Sequence, residues 1–232
     1  MDLQHFHALR TGVVETDEGP RTLTVERLGV LRLPSGRLEV SDSLVNLGEG
    51  VLVDVPGGDH PVAMTLADVS DAQDGSHVRV AYLSLVLAEG EPAVVERAAA
   101  RDVPVDAGVV GFADAESVER GMPEDRSTWY DEVFDGWIEL LHYPDDGIHR
   151  HGIDVRLPRA TAGENVVLSS AGWGDGVYRV WRTLAADGSL LGVHVDLDVV
   201  DVQDDEPAPP AASPEESEPA ATGGFLRRLF RR

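Results

Sequence analysis

Leu191-Gly192-Val193-His194-Val195-Asp196-Leu197-Asp198-Val199-Val200 is the stretch that decides the fold class. Apolar residues at 191, 193, 195, 197 and 199 alternate with Gly192, His194, Asp196 and Asp198. Period two is the signature of a strand with one covered face. The reading predicts Val193, Val195, Leu197 and Val199 buried, with His194, Asp196 and Asp198 turned to solvent or a cleft. A slip of one residue would invert the whole set.

Working outward, Val78, Val80 and Tyr82 alternate with His77, Arg79 and Ala81, and the run then turns apolar on both faces through Leu83, Leu85, Val86 and Leu87. That pattern predicts a strand buried on both sides along part of its length. Further strands are expected over 23–33, 51–55, 62–69, 94–98, 166–170 and 177–184. Turn signals separate them at Pro34-Ser35-Gly36, Pro56-Gly57-Gly58-Asp59, Asp74-Gly75 and Asp187-Gly188. Helical signal is sparse. Asp114 is placed to cap a short helix that Gly121 ends, and Pro123 to Leu141 carries Trp129, Val133, Trp137 and Leu141 at four-residue spacing. Gly136 weakens that second helix. The expected architecture is all-β or β-dominated α+β, with two packed, mainly antiparallel sheets and a short helical insertion.

Composition narrows the function classes. The chain has 232 residues and no cysteine, which removes disulfides, thiol catalysis and cysteine-ligated zinc. All 19 basic residues are Arg, set against 42 acids, for a net charge of −23. The absence of Lys points to a GC-rich, bacterial-type genome. Such a charge repels phosphate backbones, so no nucleic-acid partner is expected. No basic leader precedes an apolar run at the N-terminus, and no stretch reaches the roughly 18 apolar residues of a membrane span. The expectation is a soluble, cytoplasmic protein.

The composition changes after Val202. Residues 1–202 read as one β-rich globular domain. Residues 203–224 hold five Pro, five Ala and six acids, with no aliphatic side chain larger than Ala. Such a segment buries too little apolar area to offset its ordering entropy and reads as a disordered acidic linker. Residues 225–232 then restore a pattern. Phe225, Leu226, Leu229 and Phe230 share one helical face, and Arg227, Arg228, Arg231 and Arg232 take the other. The peptide reads as a docking element for a protein partner, with an anionic membrane surface as the alternative. A solvated tail, or one folded back on the acidic core, is the plainer reading.

Several constellations could carry chemistry. Gly172-Trp173-Gly174-Asp175-Gly176 lies between two expected strands. It is no dinucleotide fingerprint, which needs G-x-G-x-x-G leading into a helix. It reads as a glycine-dependent turn with Trp173 in the core, or else as a ligand loop with Trp173 as platform, Asp175 as acceptor and Tyr178 beside them. Asp106 and Asp114 flank a loop containing Gly108 and Gly111, where carboxylates bind cations or cap turns. His194 and Asp196 share a strand face, and His149 and His151 form a second pair. Were those strands adjacent, a His/Asp metal site would follow; otherwise these are polar residues on a solvated sheet. No G-x-S-x-G elbow and no P-loop is present.

Three segments carry a resemblance. They are Gly29-Val30-Leu31-Arg32-Leu33-Pro34-Ser35-Gly36-Arg37 followed by Asp42; Val105-Asp106-Ala107-Gly108 followed by Gly111-Phe112-Ala113-Asp114; and Asn165 with Gly172-Trp173-Gly174-Asp175-Gly176-Val177-Tyr178, Asp187-Gly188 and Val195-Asp196-Leu197. From Gly29 to Val200 the chain resembles a bacterial family known as domain of unknown function 4241. Where that family has Thr-Gly-Cys before the Phe of the second segment, this chain has Val109-Val110-Gly111, so any role of that cysteine is absent. Where it has Asp-Phe, this chain has Asp196-Leu197. The resemblance supports the strand reading, adds Arg37 to the ligand-binding candidates and implies no reaction.

The leading expectation is a non-enzymatic binding or adaptor protein that needs no cofactor and docks to a partner through residues 225–232. A metal-assisted hydrolase using the Asp/His faces with a divalent metal is the runner-up. An acidic mimic that sequesters a basic partner is the third reading.

Overall fold

The computed structural model describes residues 3–16, 19–143 and 150–200. The expected linker 203–224, the docking peptide 225–232 and His149 lie outside these residues. Two antiparallel sheets account for the fold. The larger uses β1 (Gly12–Thr16), β2 (Gly19–Leu33), β5 (Gly58–Asp68), β6 (Val78–Val86), β7 (Val94–Arg97), β8 (Val103–Val105), β12 (Gly176–Leu184) and β13 (Leu190–Asp196). Its order is β1-β2-β5-β6-β13-β12-β7, with β8 also pairing to β12. The smaller, in the order β10-β11-β9-β3-β4, uses β3 (Arg37–Ser41), β4 (Val51–Asp54), β9 (Val109–Asp114), β10 (Gly152–Arg156) and β11 (Asn165–Ser170). The expected strand-dominated, two-sheet class is what the chain adopts.

Alternation explains which sheet faces meet. Val62, Met64, Leu83, Leu85, Val193 and Val195 fall in register across β5, β6 and β13. They share one buried core with Leu38, Val40, Val110, Phe112 and Val167 of the smaller sheet. The opposite face of the smaller sheet, with Val109, Ala113, Val166 and Leu168, packs on the helical insertion. There Asp114 caps α1 (Ala115–Gly121) by accepting from the Ser117 N–H, as its position in the sequence predicts.

The second helix is not a single α-helix. A 3₁₀ turn at Arg126–Thr128 leads into a π-helical turn at Tyr130–Phe134 and then α2 (Asp135–His142). A spacing of four exceeds the 3.6 residues of an α turn, so Trp129, Val133, Trp137 and Leu141 would drift around an ideal helix. The wider π turn absorbs the drift. All four side chains, and Phe134, enter the core under the smaller sheet.

One expectation about β13 fails in an informative way. Val193, Val195, Leu197 and Val199 are buried, so the register is right. His194 and Asp196 are buried as well, at 2% and 3% exposure. β13 lies between β6 and β12, and residues 3–10 cover its second face, where Phe6 packs edge-on against Tyr82 and His194. The polarity of that face is met internally. The His194 ring nitrogens pair with the hydroxyls of Ser84 (2.9 Å) and Thr183 (3.0 Å), and the Tyr82 hydroxyl lies beside Asp196 and lowers the cost of its charge. Asp198 has left the strand, with φ at 52°.

Candidate functional site

Two glycine-containing loops meet at one end of the larger sheet. Loop 106–108 connects β8 to β9, and loop 171–175 connects β11 to β12. Asp42, just past β3 and fully buried, accepts from the backbone N–H groups of Leu44, Asp106 and Ala107 at 3.0, 2.8 and 2.7 Å. That carboxylate fixes the first loop. The first loop fixes the second, since the Gly108 carbonyl accepts from the Ala171 N–H at 2.8 Å.

The second loop is pinned again from its own side. Tyr178 donates its hydroxyl to the Gly174 carbonyl at 2.7 Å, and Arg79 donates to the Gly172 carbonyl at 3.3 Å. Gly172 sits at φ 40°, where an added Cβ would lie 2.4 Å from the Leu197 carbonyl oxygen. Only glycine lets the backbone approach so closely there. Burial, then the nearby Asp198 and Asp175, hold the Tyr178 phenol above its ordinary pKa, so it stays a donor.

The product of this pinning is an exposed tryptophan on a fixed backbone. Trp173 is 56% exposed, which overturns its expected place in the core. Tight turns at Gly172 and Gly174 turn its side chain outward, and the β12 position that does enter the core here is Tyr178. The Arg79 guanidinium stacks 4.9 Å from the Trp173 ring centroid, with His77 edge-on at 6.2 Å. Asp106 and Asp175 are exposed, and an added Cβ at Gly108 would lie 4.0 Å from an Asp175 carboxylate oxygen. The structure thus places Trp173, Asp175 and Tyr178 together at the start of β12, with Arg79 stacked on the tryptophan and with Asp106 exposed on the adjoining loop. Trp173→Ala is expected to cost less than about 1 kcal/mol of stability, the range of exposed cation–π contacts. Phe112→Ala, in the core, should cost about 3–5 kcal/mol. Paired denaturant titrations compare the two.

Arg37 is placed elsewhere. It opens a cleft of about 490 Å³ on the outer side of the smaller sheet, between β3–β4 and α1 with the turn after it. Five glutamates line the cleft: Glu39, Glu49, Glu116, Glu119 and Glu124. Against them stand Arg37 and Arg126, the latter paired with Glu49 and stacked on Trp129 at 5.1 Å. Glu39 is buried and accepts from the Gly48 and Gly50 N–H groups. Burial pushes its carboxyl above the ordinary range despite those bonds. Sequence reasoning missed this cleft. Its glutamates come from β3, a turn and a helix, and only the odd-numbered Arg37 and Glu39 on one strand face give any local signal.

The metal candidates within the described residues, His194, Asp196 and His151, do not converge. His194 and Asp196 lie inside the larger sheet, whereas His151 precedes β10 of the smaller one. The strand adjacency that a shared site required is therefore not present. Among the described residues no three His, Asp or Glu side chains are placed to hold one ion. Likewise, no described helix is long and apolar enough to cross a membrane.

In comparison with known proteins, residues 31–195 match the family model described as "Protein of unknown function (DUF4241)". No curated protein and no solved structure matches the chain.

Proposed function

Since the chain belongs to the DUF4241 family, whose description carries no reaction, we propose from geometry that it is a non-catalytic binding or adaptor protein that holds a protein partner on its Trp173 loop. One observation carries the reading. A large aromatic side chain is held out of the core on a backbone secured by hydrogen bonds from Arg79 and Tyr178 and by one that its own Ala171 N–H donates to the neighbouring loop. Tryptophan and arginine are the side chains that most often dominate protein interfaces, and a polar rim excludes water around them. A fixed loop loses little entropy on binding. Residues 225–232 serve the same role as a second, basic docking element.

The reading is tested in pull-downs from lysate of the protein's own organism, with wild type, Trp173→Ala, Arg79→Ala and Val13→Ala as baits. Val13 is an exposed apolar residue on β1, at 67% exposure. A prey kept by wild type and Val13→Ala, and lost by the other two at unchanged melting temperature, is the expected outcome. Identical prey on all four baits would reject the Trp173 surface.

A further inference from the structure

We propose that residues 225–232 dock into the glutamate-lined cleft of their own chain, so that the basic peptide is latched until a partner displaces it. This rests on reading 225–232 as a docking peptide and is independent of the Trp173 surface.

Charge complementarity comes first. The cleft sets five glutamates against two arginines, and the peptide carries four arginines. Among the described residues, two of those glutamates are held by exposed ion pairs alone, Glu116 with Arg120 and Glu124 with Arg159. Exposed pairs of this kind are worth little and exchange readily. An arginine entering the cleft would also offset the burial that disfavours the Glu39 carboxylate.

Charge alone would not select this place on a chain of net charge −23. The cleft adds an apolar wall. Leu52 lines it at 46% exposure, alongside Trp129. Phe225, Leu226, Leu229 and Phe230 supply matching apolar groups. The acids of 203–224 compete for the same arginines, but apart from its prolines that segment offers no apolar side chain larger than Ala.

Reach favours the same chain over a second copy. The 24 residues 201–224 span up to about 80 Å at 3.3–3.6 Å per residue. A domain of about 200 residues has a radius of gyration of about 16 Å. Every point of its surface is therefore within reach. A tether of this kind presents the peptide at an effective concentration in the millimolar range, well above that of a second copy in dilute solution.

The native chain has no cysteine, so disulfide trapping gives a clean readout. Full-length Leu52→Cys/Leu229→Cys is compared with Val177→Cys/Leu229→Cys under the same mild oxidant. Val177, the second residue of β12, is 61% exposed and lies two positions after the exposed Asp175. It therefore samples an exposed position near an acidic residue and outside the cleft. Glu119→Cys/Leu229→Cys approaches the cleft from α1 and guards against a local defect at position 52. The expected result is an intramolecular bond at both cleft positions, formed at least about tenfold faster than at 177. The advantage should collapse in 1 M salt, where the Debye length is about 3 Å. It should be unchanged by Trp173→Ala, which separates this proposal from the partner surface. Equal rates at all three positions, or mainly disulfide-linked dimers, would overturn it.

Discussion

Asp42→Ala is expected to lower stability by about 3–5 kcal/mol. The carboxylate is fully buried and accepts three backbone N–H bonds, from Leu44, Asp106 and Ala107. Hydrogen bonds to a charged group contribute roughly 1.5–3 kcal/mol each, and the released donors of a half-buried loop recover part of that from water. Asp42→Asn should fall between the two, because one amide oxygen can serve only some of the donors. Urea unfolding measures both, and a loss under about 1 kcal/mol for Asp42→Ala would refute the organising role given to it. The effect should travel. Freeing 106–108 removes the support that the Gly108 carbonyl gives Ala171, and with it part of the fixed geometry of Trp173.

A second large effect is hidden in the wild type and appears only on substitution. Burial pushes His194 from an ordinary 6.5 down to about 3. Burial, with Asp198 close by, pushes Asp196 from 3.8 up to about 7. Tyr82 and Arg179 face Asp196, and Ser84, Thr183 and Phe6 face His194. The histidine's contribution to stability is present above pH 6.5 and is lost as pH falls toward 3. The aspartate's is present below pH 3.8 and is lost as pH rises toward 7. Near pH 5 the unfolded chain holds the proton on the histidine and the folded chain holds it on the aspartate. Folding then changes no net proton count, and these two groups contribute almost no pH slope.

Single substitutions unmask each half. Relative to wild type, Asp196→Asn should gain stability with rising pH between about 4 and 7. His194→Gln should lose it with rising pH between about 3 and 6.5. Each full swing is on the order of 4 kcal/mol at 1.36 kcal/mol per pKa unit. Exposed carboxylates with lowered pKa values, such as Asp125 and Asp187, act alike in all three proteins and cancel in the difference. Urea midpoints measured from pH 4 to 7 provide the comparison. Three parallel curves would show that the two groups do not exchange a proton on folding.

Most of the fold was legible because it rests on local rules. Alternation gave eight of the thirteen described strands and the β13 register, and Asp114 with Gly121 gave the first helix, but it does not mark out β1, β3, β8 and β10, and β9 (Val109–Asp114) reads as part of a glycine loop. Two of the failures, at β13 and at Asp42, involve partners distant in sequence. Nothing in residues 3–10 announces that Phe6 will cover the polar face of β13, so His194 and Asp196 read as solvent-facing. Trp173 read as core because large aromatics usually are, whereas the two glycine φ values that turn it outward are a backbone property. Asp42 was visible as a residue of the first family segment, but its role depends on a loop more than sixty positions away. The four-residue aromatic spacing was seen, but the π turn that satisfies it was not.

The position of β13 has a consequence for the chain while it is being made. This strand is among the last described elements to emerge from the ribosome, yet it sits in the middle of the larger sheet, between β6 and β12. Until residue 196 is out, β6 keeps an edge with no strand on it, and Leu83 and Leu85 have no neighbours from β13. From Val86 to Asp196 is 110 residues, or roughly 5–20 s of synthesis at about 5–20 residues per second. For that interval the nascent protein displays an apolar β-edge of the kind that pairs with other chains. The order of strands thus sets a period in every round of translation when the polypeptide depends on its surroundings, and above all on holdase chaperones, to remain solitary.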